Sequence, residues 1–260
     1  MENKINIAIS ADFLTSYSAI PKQKQKKVTE FINKFRNNPT SSGINYENII
    51  TASDKNMKSV RIDQDYRGIV YKPNEGNTYL LLWVDKHDDA YDWASKRKCQ
   101  INNFTGTIQV YEMINNTEIQ APSIETPIER IFSNISDDSF ISIGLPEELI
   151  PLVKTFEKEE DLNKFKSKIP GDSFEALSYV INGFTIDEVI AELFADKPEI
   201  TSSEDYSSAL NNLGTKQSFV KLNDLTDDEF NTMLNTPLDK WRVFLHKSQR
   251  KLVEKSFTGP

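Results

Sequence analysis

The sequence predicts an α+β protein in which a sheet with packed helices precedes a mainly α-helical region. Three observations predict it. Apolar residues alternate at period two at the N-terminus, and strand-like stretches joined by short turns follow. Stripes at helical spacing lie beside them. Beyond a polar stretch at 116–127 that carries Pro122 and Pro127, strand signals give way to repeated capping boxes.

Ile5, Ile7 and Ile9 alternate strictly, as a strand with one buried face requires. Asp12 is positioned to cap a short helix carrying Phe13, Leu14 and Tyr17. Pro21 opens a second helix, in which Val28, Phe31, Ile32 and Phe35 share one face until Asn37-Asn38-Pro39 ends it. The opposite face carries Lys22, Lys24, Lys26, Lys27, Lys34 and Arg36, which suits either a solvated surface or contact with a nucleic-acid backbone.

Three strands are expected at 57–62, 66–72 and 78–84, and their short connections imply an antiparallel meander. Tyr79 to Val84 is apolar throughout, so it belongs at the sheet centre with both faces covered. A helix is expected over 88–98, and Phe104-Thr105-Gly106-Thr107 joins two short strands ending at Tyr111.

The domain reading is therefore a sheet domain over 1–115, a linker over 116–127 and a helical region over 128–235, followed by a separate C-terminal piece over 236–260. From the end of the linker onward, Thr126, Asp172, Thr185 and Thr226 each precede a glutamate by three residues, the capping-box spacing. Leu149, Leu152, Val153 and Phe156 form one apolar stripe; Ile186, Val189, Ile190, Leu193 and Phe194 form another. Residues 201–218 read as a polar loop.

The chain of 260 residues carries a formal charge of -8, divided unevenly. Residues 1–120 hold 16 Lys and Arg against 14 Asp and Glu, whereas 121–260 hold 15 against 25. That asymmetry suits two units with different partners. A single cysteine, Cys99, excludes a disulfide framework and a multi-thiolate zinc site, and suits a reducing cytoplasm. No run approaches the ~20 apolar residues that a membrane-spanning helix needs, so no membrane partner is expected.

Two stretches carry a functional signal in the first half: Ser59 to Tyr71, with Arg61 and Arg67, and Leu82 to Tyr91, with His87. Together with the order of elements, they resemble the RelE/ParE toxin superfamily, particularly RelE and YoeB, over about residues 1–112. The resemblance implies metal-independent cleavage of ribosome-bound mRNA. Such chemistry needs a base for the 2'-OH proton, a cation for the phosphorane charge and an acid for the leaving oxygen. Glu47, Arg67 and His87 fall near the base, phosphate-binding and acid positions; Arg61 and Tyr91 match further positions of the pattern. The sequence departs from it at Asp88, where YoeB-like toxins carry an aromatic residue. Asp85, Asp88 and Asp89 surround His87 with negative charge, which opposes an RNA backbone. A pairing of Arg61 and Arg67 with these aspartates is the competing structural reading. A metal site at Asp85, His87, Asp88 and Asp89 is a third, although adjacent residues at a strand end point in different directions.

Near the C-terminus, Leu245 to Val253 is similar to the Q motif that opens the motor of UvrD/Rep-like superfamily 1 DNA helicases, where a glutamine, here Gln249, reads the adenine of ATP. No G-x-x-x-x-G-K-[ST] occurs in the chain. This resemblance implies the N-terminal accessory region of a longer bacterial DNA helicase, cut before its Walker A loop, with the start of the motor at 236–260. It assigns no cofactor to this chain, but ATP and Mg to the full-length helicase, with DNA as that protein's partner. The toxin-like domain would serve in nucleic-acid or protein binding, or would act as an endoribonuclease; RNA, the ribosome or an antitoxin-like protein are its implied partners. Ile143 to Val153 looks like a helical segment of such helicases. There, Gly144-Leu145-Pro146 reads either as a DNA-backbone hairpin or as a structural turn followed by Glu147 and Glu148.

Overall fold

The computed structural model describes residues 5–114, 130–195 and 199–236. In chain order its elements are β1 (Asn6–Ser10), α1 (Ala11–Ala19), α2 (Lys22–Asn37), β2 (Tyr46–Asn48), β3 (Met57–Arg61), β4 (Tyr66–Tyr71), β5 (Thr78–Lys86) and α3 (His87–Ser95). There follow β6 (Arg97–Ile101), β7 (Ile108–Glu112), α4 (Asp137–Ser142), α5 (Ile150–Val153), α6 (Glu159–Lys164), α7 (Gly171–Ile181) and α8 (Ile186–Leu193). The last are α9 (Tyr206–Ala209), α10 (Leu213–Lys216), β8 (Phe219–Lys221) and α11 (Asp227–Asn235). The class is α+β, as the sequence predicts. Among the described residues no helix is long and apolar enough to cross a membrane.

The chain divides into two units, one of residues 5–95 and 215–236, the other of the described residues between 96 and 214. This division differs from the expected domains in two places. The β6–β7 hairpin, expected with the sheet, groups with the helices; β8 and α11, expected with the helices, group with the sheet. The expected linker at 116–127 and, apart from Thr236, the expected motor start with Gln249 lie outside the described residues.

The first unit is built on a six-stranded sheet of order β2-β3-β4-β5-β1-β8. The β3, β4 and β5 strands form the expected antiparallel meander, with Val60 opposite Gly68 and Gly68 opposite Val84. β5 is interior, as its unbroken apolar run requires. The sheet is mixed rather than antiparallel, because β1 pairs parallel to β5, with Ile7 opposite Tyr79 and Ile9 opposite Leu81. The intervening helices and strands supply the long crossover that a parallel pair needs. β8 closes the β1 edge antiparallel, Ile9 facing Val220.

Packing on the sheet follows from the period-two alternation. Ile7, Ile9, Val60, Val70, Leu81 and Val84 belong to one buried core with Phe13 and Leu14 of α1, Phe31, Ile32 and Phe35 of α2, and Phe230 and Met233 of α11. The sheet thus buries α1, α2 and α11 against one face. Helices are not confined to that face: α3 docks on the other, where Trp93 stacks on Trp83 with ring centroids 5.3 Å apart and planes 9° apart. Gly68 leaves the first face room for Phe31. A Cβ there would lie 3.0 Å from the Phe31 ring, closer than a packed core accommodates without movement.

Two local expectations are corrected. Ser10, not Asp12, caps α1, its hydroxyl accepting from the Phe13 amide at 3.0 Å. The helix expected over 88–98 ends at Ser95, and Arg97 already belongs to β6.

The second unit packs α4 to α8 around Phe132, Phe140, Leu149, Val153, Phe156 and Leu177. Thr185 caps α8 and Glu188 returns the bond, the expected capping box; Thr226 and Glu229 do the same for α11 in the first unit. The Thr126 box lies outside the described residues. Asp172 is not a cap: α7 begins at Gly171 with Pro170 before it, and Asp172 is buried. Nor is 201–218 a loop, since α9 and α10 form there and Tyr206, Ala209 and Leu210 are buried.

Gly144 lies at φ +90, in the region that favours glycine, and its carbonyl accepts from Asn102, Gln109 and Ser173 side chains at 2.9, 2.8 and 2.8 Å. The Gly144-Leu145-Pro146 stretch therefore forms a buried turn, the structural reading of the two.

Candidate functional site

Strand register collects three of the five predicted catalytic residues on the sheet face that carries α3. Glu47 of β2 lies opposite Ser59 of β3, Ser59 opposite Ile69 of β4, and Ile69 opposite Trp83 of β5. Two residues along, Arg61 lies opposite Arg67 and Arg67 opposite Asp85. Side chains at paired positions share a face, so Glu47, Arg61 and Arg67 do as well. Glu47 and Arg67 nonetheless stand two strand spacings apart, about 10 Å across the sheet.

The helix α3 adds the remaining two. It begins directly at the end of β5, where the His87 amide donates to the Asp65 carbonyl at 2.8 Å. His87 and Tyr91 are four residues apart, hence neighbours on one helix face. Their rings stack with centroids 4.2 Å apart. Tyr91 Oη lies 3.0 Å from Ser59 Oγ, a hydrogen bond that ties the helix to β3, and His87 Nδ1 lies 2.8 Å from Asp88 Oδ1. Ser59, Tyr91, His87 and Asp88 therefore form a connected line beside Glu47. Ser59 was not singled out from sequence; its signal is a hydroxyl at a fully buried strand position between Met57 and Arg61 on one face.

Arg67 is buried, 7% exposed, and its guanidinium turns to the preceding reverse turn, Nη1 donating to the Asp63 and Tyr66 carbonyls at 3.1 Å each. Its Nε has no hydrogen-bond partner among the described residues. Arg61 is exposed, and its Nε donates to the same Asp63 carbonyl at 3.3 Å. The expected competing pairing of these arginines with Asp85, Asp88 and Asp89 is replaced by contacts to backbone.

The turn at 63–66 is organised by Asp63, whose Oδ1 accepts from the Asp65 and Tyr66 amides at 2.8 Å each. Partial burial works to raise its carboxyl, but Lys24 and the two amides outweigh it and hold it below the ordinary aspartate value. Lys24 donates to both Asp63 and Asp65, at 2.9 and 3.0 Å, and these bonds raise its ammonium above the ordinary lysine value. Beside this turn runs an open groove of about 770 Å³ lined by Lys24, Asp65, Tyr66, Lys86, His87 and Asp88. Its lining mixes both signs of charge.

The basic face of α2 is partly spent on the protein itself. Lys27 pairs with Glu30, Lys34 donates to the Gly43 carbonyl, and Arg36 is bound to the segment around α11. Lys22 and Lys26 are exposed. Among the described residues, no group of three or more His, Cys, Asp or Glu is placed to hold a metal ion, and Asp85, His87, Asp88 and Asp89 do not converge as such a set. Gln249, the expected adenine contact, lies outside the described residues.

Comparison with known proteins returned no matching family model, no matching curated protein and no matching solved structure.

Proposed function

We propose that this chain is a non-motor accessory region of an ATP-dependent DNA helicase, and that its RelE-like first unit is a binding module. The observation carrying the binding-module reading is the state of Arg67. A cation that stabilises a phosphorane must present free donors to the scissile phosphate; Arg67 is buried and directs Nη1 at two backbone carbonyls. The mixed charge of the adjoining groove suits a protein surface better than a phosphate backbone. The helicase part rests on the Gln249 stretch. ATP and Mg2+ belong to the motor in this reading, and no described residue is assigned to them.

Two experiments test it. The coding sequence after codon 260 is expected to encode a Walker A loop within the next few residues, and the longer protein to hydrolyse ATP when DNA is added. The 260-residue chain alone is expected not to hydrolyse ATP; turnover by a clean preparation that disappears in Gln249→Ala would overturn the assignment.

A second reading, metal-independent cleavage of ribosome-bound mRNA, is favoured by one observation: Glu47, Arg61 and Arg67 share a sheet face with the His87–Tyr91 stack. In it Glu47 accepts the 2'-OH proton, Arg67 swings out to hold the phosphate, and His87 protonates the departing oxygen. Cleavage that is lost in Arg67→Ala and His87→Ala, and that persists in EDTA with intact ribosomes, selects this reading over the binding module.

A further inference from the structure

The second unit contains a buried carboxylate, Asp172, that no Lys, Arg or His pairs with among the described residues. Asp172 sits in the first turn of α7 and is 9% exposed. Thr107 Oγ1 donates to its Oδ2, and Gln109 Nε2 lies 3.0 and 2.9 Å from its two oxygens. Thr105 Oγ1 is 3.3 Å from Oδ2 and 2.8 Å from Thr107 Oγ1. The surrounding scaffold is equally neutral. Asn102 Oδ1 accepts from the Phe104 and Thr105 amides, and its Nδ2 donates to the Gly144 carbonyl, which also receives Gln109 and Ser173. Asn212 Nδ2 closes the turn from the other side by donating to the Thr105 carbonyl at 2.7 Å. The network thus fastens together the 102–107 turn of the β6–β7 hairpin, the Gly144 turn, the start of α7 and Asn212.

The charged groups of the β6–β7 hairpin are held in ion pairs of their own. Lys98 pairs with Glu148 at 2.8 Å, Arg97 with Glu112 at 3.3 Å, and Lys168 with Glu112 at 3.4 Å. Among the described residues, the groups that bond to the Asp172 carboxylate are the Thr105 and Thr107 hydroxyls, the Gln109 amide and the Ser173 backbone, none of which titrates. A buried polar network is strong when every donor and acceptor is matched, and an ionised member in low dielectric raises its cost.

We propose that Asp172 is a proton-operated latch: with its proton bound it holds the β6–β7 hairpin and the Gly144 turn against α7, and on ionisation it loosens them. Protonated, Asp172 donates one hydrogen bond to a threonine hydroxyl and leaves no net charge in the network. Ionised, it retains its donors but carries a charge removed from water. Burial is the dominant influence on this group and pushes it above the ordinary aspartate value, against the opposing Thr107, Gln109, Ser173 and Thr105 donors. The sign of the linkage follows. For an acid whose native value is raised, the stabilisation is complete below the unfolded-chain value, about 4, and is lost as pH rises through the native value. The loop opens as the solution becomes less acidic, the reverse of an ordinary salt-bridged carboxylate.

The test compares the full chain with Asp172→Asn, which keeps the shape and one acceptor of the side chain but cannot ionise. Denaturant unfolding and hydrogen exchange at the Thr105, Thr107 and Gln109 amides are followed from pH 4 to pH 8. The ratio of opening constants, wild type over variant, is expected to rise with pH by up to about tenfold per pH unit between the unfolded and native values. A ratio that stays flat, or falls, overturns the latch. Should the variant fail to fold, carbon-detected NMR titration of the Asp172 carboxyl in the wild-type chain decides the matter. A midpoint above the ordinary aspartate range supports the latch, and one within or below that range overturns it.

Discussion

Arg36 and Asp227, 191 positions apart in sequence, meet at 2.7 Å between Nη1 and Oδ1. The ion pair is the lesser part of the contact, because Asp227 is 91% exposed. The greater part is what else Arg36 does: Nε donates to the Leu222 carbonyl at 3.1 Å, Nη2 donates to the Leu225 carbonyl, and the guanidinium lies 5.1 Å from the Phe230 ring centroid. One side chain of α2 thereby pins the segment that leads from β8 into α11.

Arg36→Ala is therefore expected to cost about 2–3 kcal/mol, from two charge-assisted bonds to carbonyls and a stacked ring. Asp227→Ala is expected to cost under about 1 kcal/mol. Chemical denaturation of the two variants measures both, and equal losses would contradict the ranking.

Gly68→Ala is expected to destabilise the first unit by about 1–3 kcal/mol, because the added methyl meets the Phe31 ring and Phe31 is itself buried in the core. The companion variant Gly76→Ala isolates backbone strain. Gly76 is at φ +84 with nothing within 4 Å of a Cβ, so its cost arises from conformation alone.

The Ser59–Tyr91 bond joins α3 to β3 and holds the ring on which His87 stacks. Ser59→Ala and Tyr91→Phe are each expected to cost about 1 kcal/mol, and the double variant less than the sum by about 0.5–1 kcal/mol. A double-mutant cycle by thermal unfolding gives the coupling; strict additivity would show that the two hydroxyls do not meet.

The α8 cap is expected to weaken in acid. The Thr185 amide and hydroxyl hold the Glu188 carboxyl below the ordinary glutamate value, against a smaller effect of desolvation. A depressed acid stabilises at pH values above its unfolded value, and that stabilisation is lost as pH falls through the native one. Amide exchange at Glu188 and Thr185 is expected to accelerate, after correction for intrinsic rates, as pH drops from 5 towards 3, and Glu188→Gln to abolish that dependence.

The fold was legible where pattern and length reinforced each other. Tyr79 to Val84 is long enough and apolar enough to declare a central strand, and α2 announces itself by four apolar residues at helical spacing between Pro21 and Pro39. β8 was not legible: three residues, Phe219-Val220-Lys221, are too few for a period, and only pairing with β1 makes them a strand. Asp172 was misread for a related reason. Its spacing to Glu175 imitates a capping box, and burial by a hairpin some 65 positions earlier leaves no local trace. At the candidate site, the shared face of Arg61 and Arg67 followed from strands the sequence displays, whereas Glu47 joins it through β2, three residues that only pairing with β3 makes a strand. The inward turn of Arg67 depends on two carbonyls of a reverse turn, which side-chain types do not encode.

The pairing of β1 with β8 also has a temporal meaning. A ribosome delivers Asn6–Ser10 more than 200 residues before Phe219–Lys221, an interval of roughly 10–40 s at about 5–20 residues per second. From the synthesis of β5 until then, the side of β1 that β8 will occupy is an open hydrogen-bonding edge, with Ile7 and Ile9 along it. Chains stalled before codon 219 are therefore expected to expose a pairing edge that the finished protein covers, and to aggregate more readily than the full chain.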